Sequence, residues 1–185
     1  MTFPEDAGQV LTGLARAAIV REMGGGPSSE AAWPRWLEEP GASFVTLTIG
    51  GDLRGCIGSL EAWRELGRDV ESNAVSAAFG DPRFRPVARE EVGRIRIEVS
   101  VLSSPAPIEF SSREDLLGQL RPFVDGLIFS ARGRRGTFLP QVWQDLPEPE
   151  VFLDHLVRKA GLRQGYWGED VTVERYTVTA FHEAG

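Results

Sequence analysis

The chain is short of the side chains on which most enzyme chemistry depends. Its 185 residues include one cysteine (Cys56), one lysine (Lys159) and two histidines (His155 and His182). A single cysteine forms no internal disulfide, and a free thiol fits a reducing compartment such as the cytoplasm. Lys159 is followed by alanine, so the Gly-Lys-Ser/Thr phosphate loop is absent and Schiff-base chemistry has one candidate at most. No zinc set of the usual spaced Cys/His kind can be assembled, so neither a metal nor a cofactor is expected. No apolar run reaches the length of a membrane span, and the N-terminus lacks a basic-then-apolar signal pattern. A net charge of −7 argues against broad, nonspecific nucleic-acid binding, which needs a basic field.

What is present is ordinary for a globular protein. Hydrophobic residues make up 42% of the chain and charged residues 25%, enough for one domain, or a compact pair of subdomains, with a proper core.

The most informative stretch is Leu53-Arg54-Gly55-Cys56-Ile57-Gly58-Ser59-Leu60. Glycines on either side of the cysteine leave the backbone open to close approach, and a glycine in a strand-like run suggests a bulge. If the N–H groups of residues 55–58 turn the same way, they form an anion-binding concavity. Arg54 adds a fixed positive charge, and a cation beside a thiol makes it more nucleophilic. The competing reading is plainer: a lone cysteine is commonly a small buried hydrophobe, and Gly-x-x-Gly is a short pattern. Both stay open at this point.

Along the chain, Thr2-x-x-Glu5 reads as a capping box for a helix with Val10, Leu11, Leu14, Ala18 and Ile19 on one face. Residues 24–29, rich in Gly, Pro and Ser, read as a flexible connection. Residues 30–38 predict a short second helix with Trp33 and Trp36 in the core. Ser43–Ile49 alternates as a half-buried strand and turns at Gly50-Gly51-Asp52 into residues 53–58, a hairpin. Leu66, Val70, Ala74 and Ala77 form a helical stripe that ends at Gly80, with Asn73 at its edge as a half-buried polar group in need of a partner. Asp81-Pro82-Arg83-Phe84-Arg85-Pro86 follows. In this loop Asp81 and Arg83 either satisfy each other or hold a ligand.

Arg94–Val101 alternates cleanly, the mark of an antiparallel sheet with one wet face. It is expected to end at Pro105 and Pro107. Ser111-x-x-Glu114 reads as a second capping box. Residues 126–139 predict a hairpin with an arginine-bearing tip at 132–135, and three arginines on a loop are more often merely solvated. Glu148–Ala160 predicts an amphipathic helix with His155 on its wet side. Val171–Phe181 predicts a last strand with a bulge near Glu174, and His182 follows it.

Three of these segments, taken in order, resemble the AMMECR domain family, whose bacterial and archaeal members are called AmmeMemoRadiSam system protein A. They are Leu53-Arg54-Gly55-Cys56-Ile57-Gly58, Asp81-Pro82-Arg83-Phe84 after an Ala-rich helix, and Leu139-Pro140-Gln141-Val142. With the helix ending Lys159-Ala160-Gly161-Leu162, the resemblance covers almost the whole chain. It implies an α+β fold over residues 1–185: an antiparallel sheet flanked by helices, and two subdomains, larger and smaller, with a cleft between them. It implies that Arg54, Gly55, Cys56, Gly58, Asp81, Arg83 and Gln141 line that cleft. Arg85 departs from the family's pattern and receives no role from it. Family members occur beside a Memo-like protein and a radical-SAM protein, which implies a shared pathway.

Three functions compete. A thiol-dependent enzyme, acting by acyl transfer or hydrolysis, would use Cys56 as nucleophile, Arg54 and nearby N–H groups for the anion, and Asp81 to orient an arginine. Gln141 would contact substrate; the base is the missing part, unless folding brings His182 near. A noncatalytic binding module would hold a small anionic ligand or a partner protein on Arg54 and Arg83, with Gly55, Gly58, Gln141 and Asn73 contributing and Cys56 only packing. An RNA-binding protein would need residues 132–135 and Arg83–Arg85 to form one basic face.

Overall fold

A computed structural model describes residues 3–25 and 33–183. Thr2 and residues 26–32 lie outside the described residues, and with them most of the expected connection and the first half of the expected capping box. In chain order the elements are α1 (Ala7–Glu22), α2 (Arg35–Glu38), β1 (Pro40–Ile49), β2 (Asp52–Gly58), β3 (Arg64–Glu65) and α3 (Leu66–Phe79). They continue with β4 (Ile95–Leu102), β5 (Ala106–Pro107), α4 (Arg113–Gln119), β6 (Gly126–Ala131), β7 (Arg134–Phe138), α5 (Pro149–Lys159), β8 (Thr172–Tyr176) and β9 (Val178–His182). Short 3-10 turns cover Arg89–Arg94 and Pro140–Gln144.

The chain divides into two compact units, residues 1–103 with 179–185, and residues 104–178. Each has its own antiparallel sheet and its own core, so the fold is α+β with two sheets where the sequence suggested one.

The first unit orders its main strands β2-β1-β4-β9, with β3 also paired to β1. Alternation decides which side chains enter the core: Val45 and Leu47 of β1 and Ile95, Ile97, Val99 and Val101 of β4 are buried. Helix α1 meets them with Ala7, Leu11, Ala15, Ala18 and Ile19, spaced three and four apart. Helix α3 offers Leu66, Val70, Ala74, Ala77 and Ala78, and its small residues bring its backbone close to β2. Gly50 and Gly51, at φ 63° and 94°, make the left-handed turn of the β1–β2 hairpin.

The second unit orders its strands β5-β8-β6-β7. Its core is built on Leu127 and Phe129 of β6, Leu116 of α4 and Phe152, Leu153 and Leu156 of α5. Trp143 stacks on Phe152 at 3.7 Å between ring centres and donates its indole N–H to the Asp125 carbonyl. Burial of such a large ring requires that its one polar atom find an acceptor.

Several local expectations change. Helix α2 is four residues long, with Trp33 and Trp36 half-buried against the first core. Helix α1 starts at Ala7, and Asp6 before it makes no side-chain cap. At α4 the cap is Ser112, whose hydroxyl accepts from the Asp115 N–H, while Asp115 accepts from the Ser111 N–H and hydroxyl. The motif is therefore one residue later than the sequence suggested. Pro107 does not end strand structure: β5 pairs Ala106 and Pro107 with Arg175 and Glu174 of β8. The predicted last strand is two strands, β8 in the second sheet and β9 in the first; β8 pairs with β6 in unbroken register through Glu174, so there is no bulge there, and the break comes at Thr177, where the chain changes sheet.

Candidate functional site

Strand β2 is an edge strand, paired only with β1. Cys56 stands opposite Thr46 and Gly55 opposite Leu47, but the next pair is Leu53 with Thr48. Arg54 is the unmatched residue of a β-bulge, a device that re-aims a side chain at a sheet edge. Successive N–H groups of a strand point alternately, so residues 55–58 form no concavity of convergent N–H groups. The glycines answer to packing: a Cβ at Gly55 would lie 2.1 Å from the Ala77 carbonyl oxygen of α3, and one at Gly58 would lie 2.2 Å from the Phe44 ring.

The free edge of β2 is occupied by the loop after α3. The Cys56 N–H donates to Asp81 Oδ2 at 2.9 Å, and the Cys56 carbonyl accepts from Arg83 Nη2 at 3.1 Å. Arg83 in turn donates Nη2 to Asp81 Oδ2 at 2.7 Å, Nε to Oδ1 at 3.0 Å, and its backbone N–H to Oδ1 at 3.1 Å. The pair thus satisfies itself and also caps the exposed backbone at Cys56, supplying an acceptor and a donor as a neighbouring strand would. Asp81 is buried, and the Arg83 guanidinium, helped by the Cys56 and Arg83 N–H groups, holds its carboxyl far below the usual carboxylate range. Arg83 is correspondingly raised by Asp81.

Arg54 is held by another carboxylate. Its Nε and Nη2 donate to Glu91 Oε1 and Oε2, each at 2.9 Å, and Nη2 also reaches the Pro86 carbonyl at 3.3 Å. Glu91 is itself fixed by the Ala88 N–H at 2.8 Å. Arg54, with help from Ala88, holds the Glu91 carboxyl down at about 2. Asp81 therefore orients Arg83 and not Arg54. Arg54 Nη1 is buried without a hydrogen-bond partner among the described residues.

Between the two held arginines lies a groove of about 650 Å³, lined by Arg54, Arg83, Phe84, Arg85, Pro86, Ala88 and Glu91. The Phe84 ring has the Arg83 guanidinium 5.5 Å from its centre and that of Arg54 at 6.0 Å, within cation–π reach. Arg85 is exposed and makes no ion pair among the described residues. The groove thus gathers three guanidiniums, two of them bonded to carboxylates and the third, Arg85, near enough to help hold the Glu91 carboxyl down.

Cys56 is half-buried; its Sγ accepts from the Thr46 hydroxyl at 3.3 Å, and its side chain also interacts with the Arg83 guanidinium. Within the first unit no histidine stands beside it among the described residues. His155 is exposed on α5 in the other unit. His182 lies on β9 with Nδ1 3.3 Å from Glu98 Oε2. Since β9 is three strands from β2, its backbone stands about 14 Å away.

Asn73 has a different setting. Its Nδ2 donates to the Ser43 carbonyl and to Asp69 Oδ2, each at 2.9 Å. Asp69, fully buried, also accepts from the Ser43 N–H and hydroxyl, the Ser59 hydroxyl and Arg64 Nε. This network ties α3 to β1 and to the end of β2, beneath the motif. Gln141 is exposed, on the 3-10 turn of the second unit. Sequence reading missed Asp69 and Glu91. Asp69 had a legible signal, a carboxylate one turn before Asn73 on an otherwise apolar stripe. Glu91 had a faint one, its position three residues after Ala88, where a side chain reaches back to an N–H.

An α+β chain whose sheet edge carries Leu53–Gly58 against Asp81-Pro82-Arg83-Phe84 defines a narrow class of protein. The family model AMMECR1 matches residues 12–181. A Methanothermobacter thermautotrophicus protein is 39% identical over 184 residues, 97% of this chain and 96% of the relative. Protein MJ0810 of Methanocaldococcus jannaschii is 36% identical over 182 residues, 96% of this chain and 90% of the relative. The crystal structure of the uncharacterized protein PH0010 from Pyrococcus horikoshii superposes with a TM-score of 0.79 at 34% identity, covering 95% of this chain and 91% of that one. The chain belongs to the AMMECR1 family. Among the described residues no helix is long and apolar enough to cross a membrane.

Proposed function

We propose that the first unit is a binding module for a small anionic ligand, and that the ligand occupies the groove between Arg54 and Arg83. One observation carries this: Arg85, exposed and in no direct ion pair among the described residues, stands beside two guanidiniums whose directions are fixed by Glu91 and Asp81. Guanidiniums held in place lose little side-chain entropy on meeting an acceptor, which favours carboxylate or phosphate groups. The two held arginines are neutralised by their carboxylates, so Arg85 supplies the groove's net positive charge. Phe84 offers an apolar face to the remainder of the ligand.

The thiol-dependent reaction finds less support. A nucleophilic cysteine needs a base or a strongly cationic partner at Sγ. Here the Thr46 hydroxyl and the Arg83 guanidinium are the neighbours of Sγ, Arg83 is already bound to Asp81, Arg54 gives Nε and Nη2 to Glu91 and Pro86, and no base stands at the thiol among the described residues of this unit. The experiment is a thermal-shift titration with acetate, phosphate, pyrophosphate and citrate. At least one polyvalent anion should raise Tm saturably in the parent and in Cys56→Ala, and fail to do so in Arg85→Ala. Stabilisation that survives Arg85→Ala, or none with any anion, would overturn the reading.

A further inference from the structure

The second unit gathers cations that the groove does not use. Hairpin residues Arg132, Arg134 and Arg135 are exposed, as are Arg158, Lys159 and Arg163 at and just past the end of α5. Together they are six of the chain's 20 basic residues. The fold brings the two groups together. Arg134 Nη1 donates to the Gly161 carbonyl at 3.0 Å, and Lys159 Nζ lies 5.0 Å from the centre of the Phe138 ring. A Cβ at Gly136 would lie 2.8 Å from the Ala160 nitrogen, so β7 runs directly against the helix end.

The hairpin tip is fixed. Arg132 and Gly133 take left-handed φ of 52° and 67°. The Arg132 N–H donates to Asp170 Oδ2 at 2.7 Å, its Nε donates to the Tyr166 hydroxyl at 3.0 Å, and that hydroxyl donates to Asp170 Oδ1 at 2.8 Å. Its guanidinium lies 5.0 Å from the Tyr166 ring centre.

Arginines that serve only solubility need no such anchoring. A helix C-terminus does attract cations, but its dipole amounts to about half a charge. Arg134, Arg158 and Lys159 exceed that several-fold. Of the described carboxylates, Asp170 faces Arg132, and Asp154 is already engaged by Arg113 and Gln164. Arg158 and Arg163 have no ion pair among the described residues. The result is a basic surface, anchored at the hairpin, on a protein whose net charge is −7.

We propose that this face binds the phosphodiester backbone of single-stranded nucleic acid, with Arg134, Arg158, Lys159 and Arg163 as the phosphate contacts. A row of separated cations running from a hairpin to a helix end suits a polymer with a charge at each residue better than a compact anion. The half-buried Tyr166 ring, held by Arg132 and Asp170 at one end, offers a planar surface for a base. The proposal is independent of the Arg54 groove, which lies in the other unit.

The test is fluorescence anisotropy of a 5′-labelled uridine 20-mer against the full chain, from 50 to 200 mM salt. Four phosphate contacts on a single strand give a log–log salt slope of about −2.8, a loss of affinity of about 50-fold over that range. Arg158→Ala with Arg163→Ala removes two contacts between side chains and solvent and leaves the fold intact, as circular dichroism and Tm verify. The slope should fall to about −1.4, and the loss over the same range to about 7-fold. Arg94→Ala, exposed on the first unit, should change neither. No binding at 50 mM salt, a slope untouched by the double variant, a loss produced by Arg85→Ala, or equal competition by polyglutamate would each overturn the proposal.

Discussion

Gly55 separates a glycine needed for packing from one kept open for a ligand. A methyl group there would stand 2.1 Å from the Ala77 carbonyl oxygen and 3.0 Å from the carbonyl carbon. These are backbone atoms of α3, unable to rotate aside, so β2 must move by more than an ångström or the helix must shift. Overpacking in a core commonly costs about 1–3 kcal/mol, and contact with backbone puts Gly55→Ala at the upper end, about 3 kcal/mol. For a chain of this length that corresponds to a Tm lower by about 6–12 °C. Gly13→Ala is the control: Gly13 is exposed in the middle of α1 with nothing within 4 Å of an added Cβ, and the substitution should stabilise by up to about 1 kcal/mol. Scanning calorimetry on both variants gives the comparison. A Gly55→Ala protein within about 2 °C of the parent, roughly a three- to six-fold smaller effect than the clash implies, would refute the packing assignment and return Gly55 to the ligand.

Asp69→Ala should be far worse than its position on a surface helix suggests, costing about 3–5 kcal/mol, because Arg64 and the donors of Ser43, Ser59 and Asn73 lose their shared acceptor. Asn73→Ala should cost about 1–3 kcal/mol. Urea midpoints at constant m measure both, and an Asp69→Ala cost below that of Asn73→Ala would contradict the shared-acceptor role. The Arg54–Glu91 pair predicts a pH dependence. Glu91 titrates near 2 when folded and near the usual value of about 4.3 when unfolded, so its contribution is present above pH 4.3 and lost as pH falls toward 2. Glu91→Gln should therefore flatten the decline of stability between pH 5 and 2, and identical pH profiles for parent and variant would count against the clamp.

Much of the fold was legible in the sequence because its elements are strongly periodic. The β1–β2 hairpin, α3, β4 and α5 follow directly from alternation, from stripes and from the glycines that stop them. What escaped is what depends on distant partners. Val171–Phe181 reads as one strand with a bulge, since nothing local says that Tyr176 pairs with Gly126 in one sheet while the residues after Thr177 join another. β5 escaped because two residues carry no period, and Pro107 reads as a stop. At the site, the residue types around Cys56 were legible but their duties were not. Asp81 and Arg83 are one residue apart in the loop, so their pairing was foreseeable. Their joint hold on the Cys56 backbone was not, because it spans 25 residues of chain. The bulge that turns Arg54 toward Glu91 is a matter of register with β1, which a single strand does not reveal.

The most direct measurement of the central claim is a titration of the parent protein and Cys56→Ala with pyrophosphate, followed through the arginine Nε–Hε signals by NMR. The Arg85 and Arg54 signals should shift saturably and alike in both proteins, while those of Arg113 and Arg121 stay fixed. If the Arg85 and Arg54 signals stay unmoved at saturating pyrophosphate, or respond only when the Cys56 thiol is present, the anion-binding account is contradicted and the thiol becomes the centre of the site.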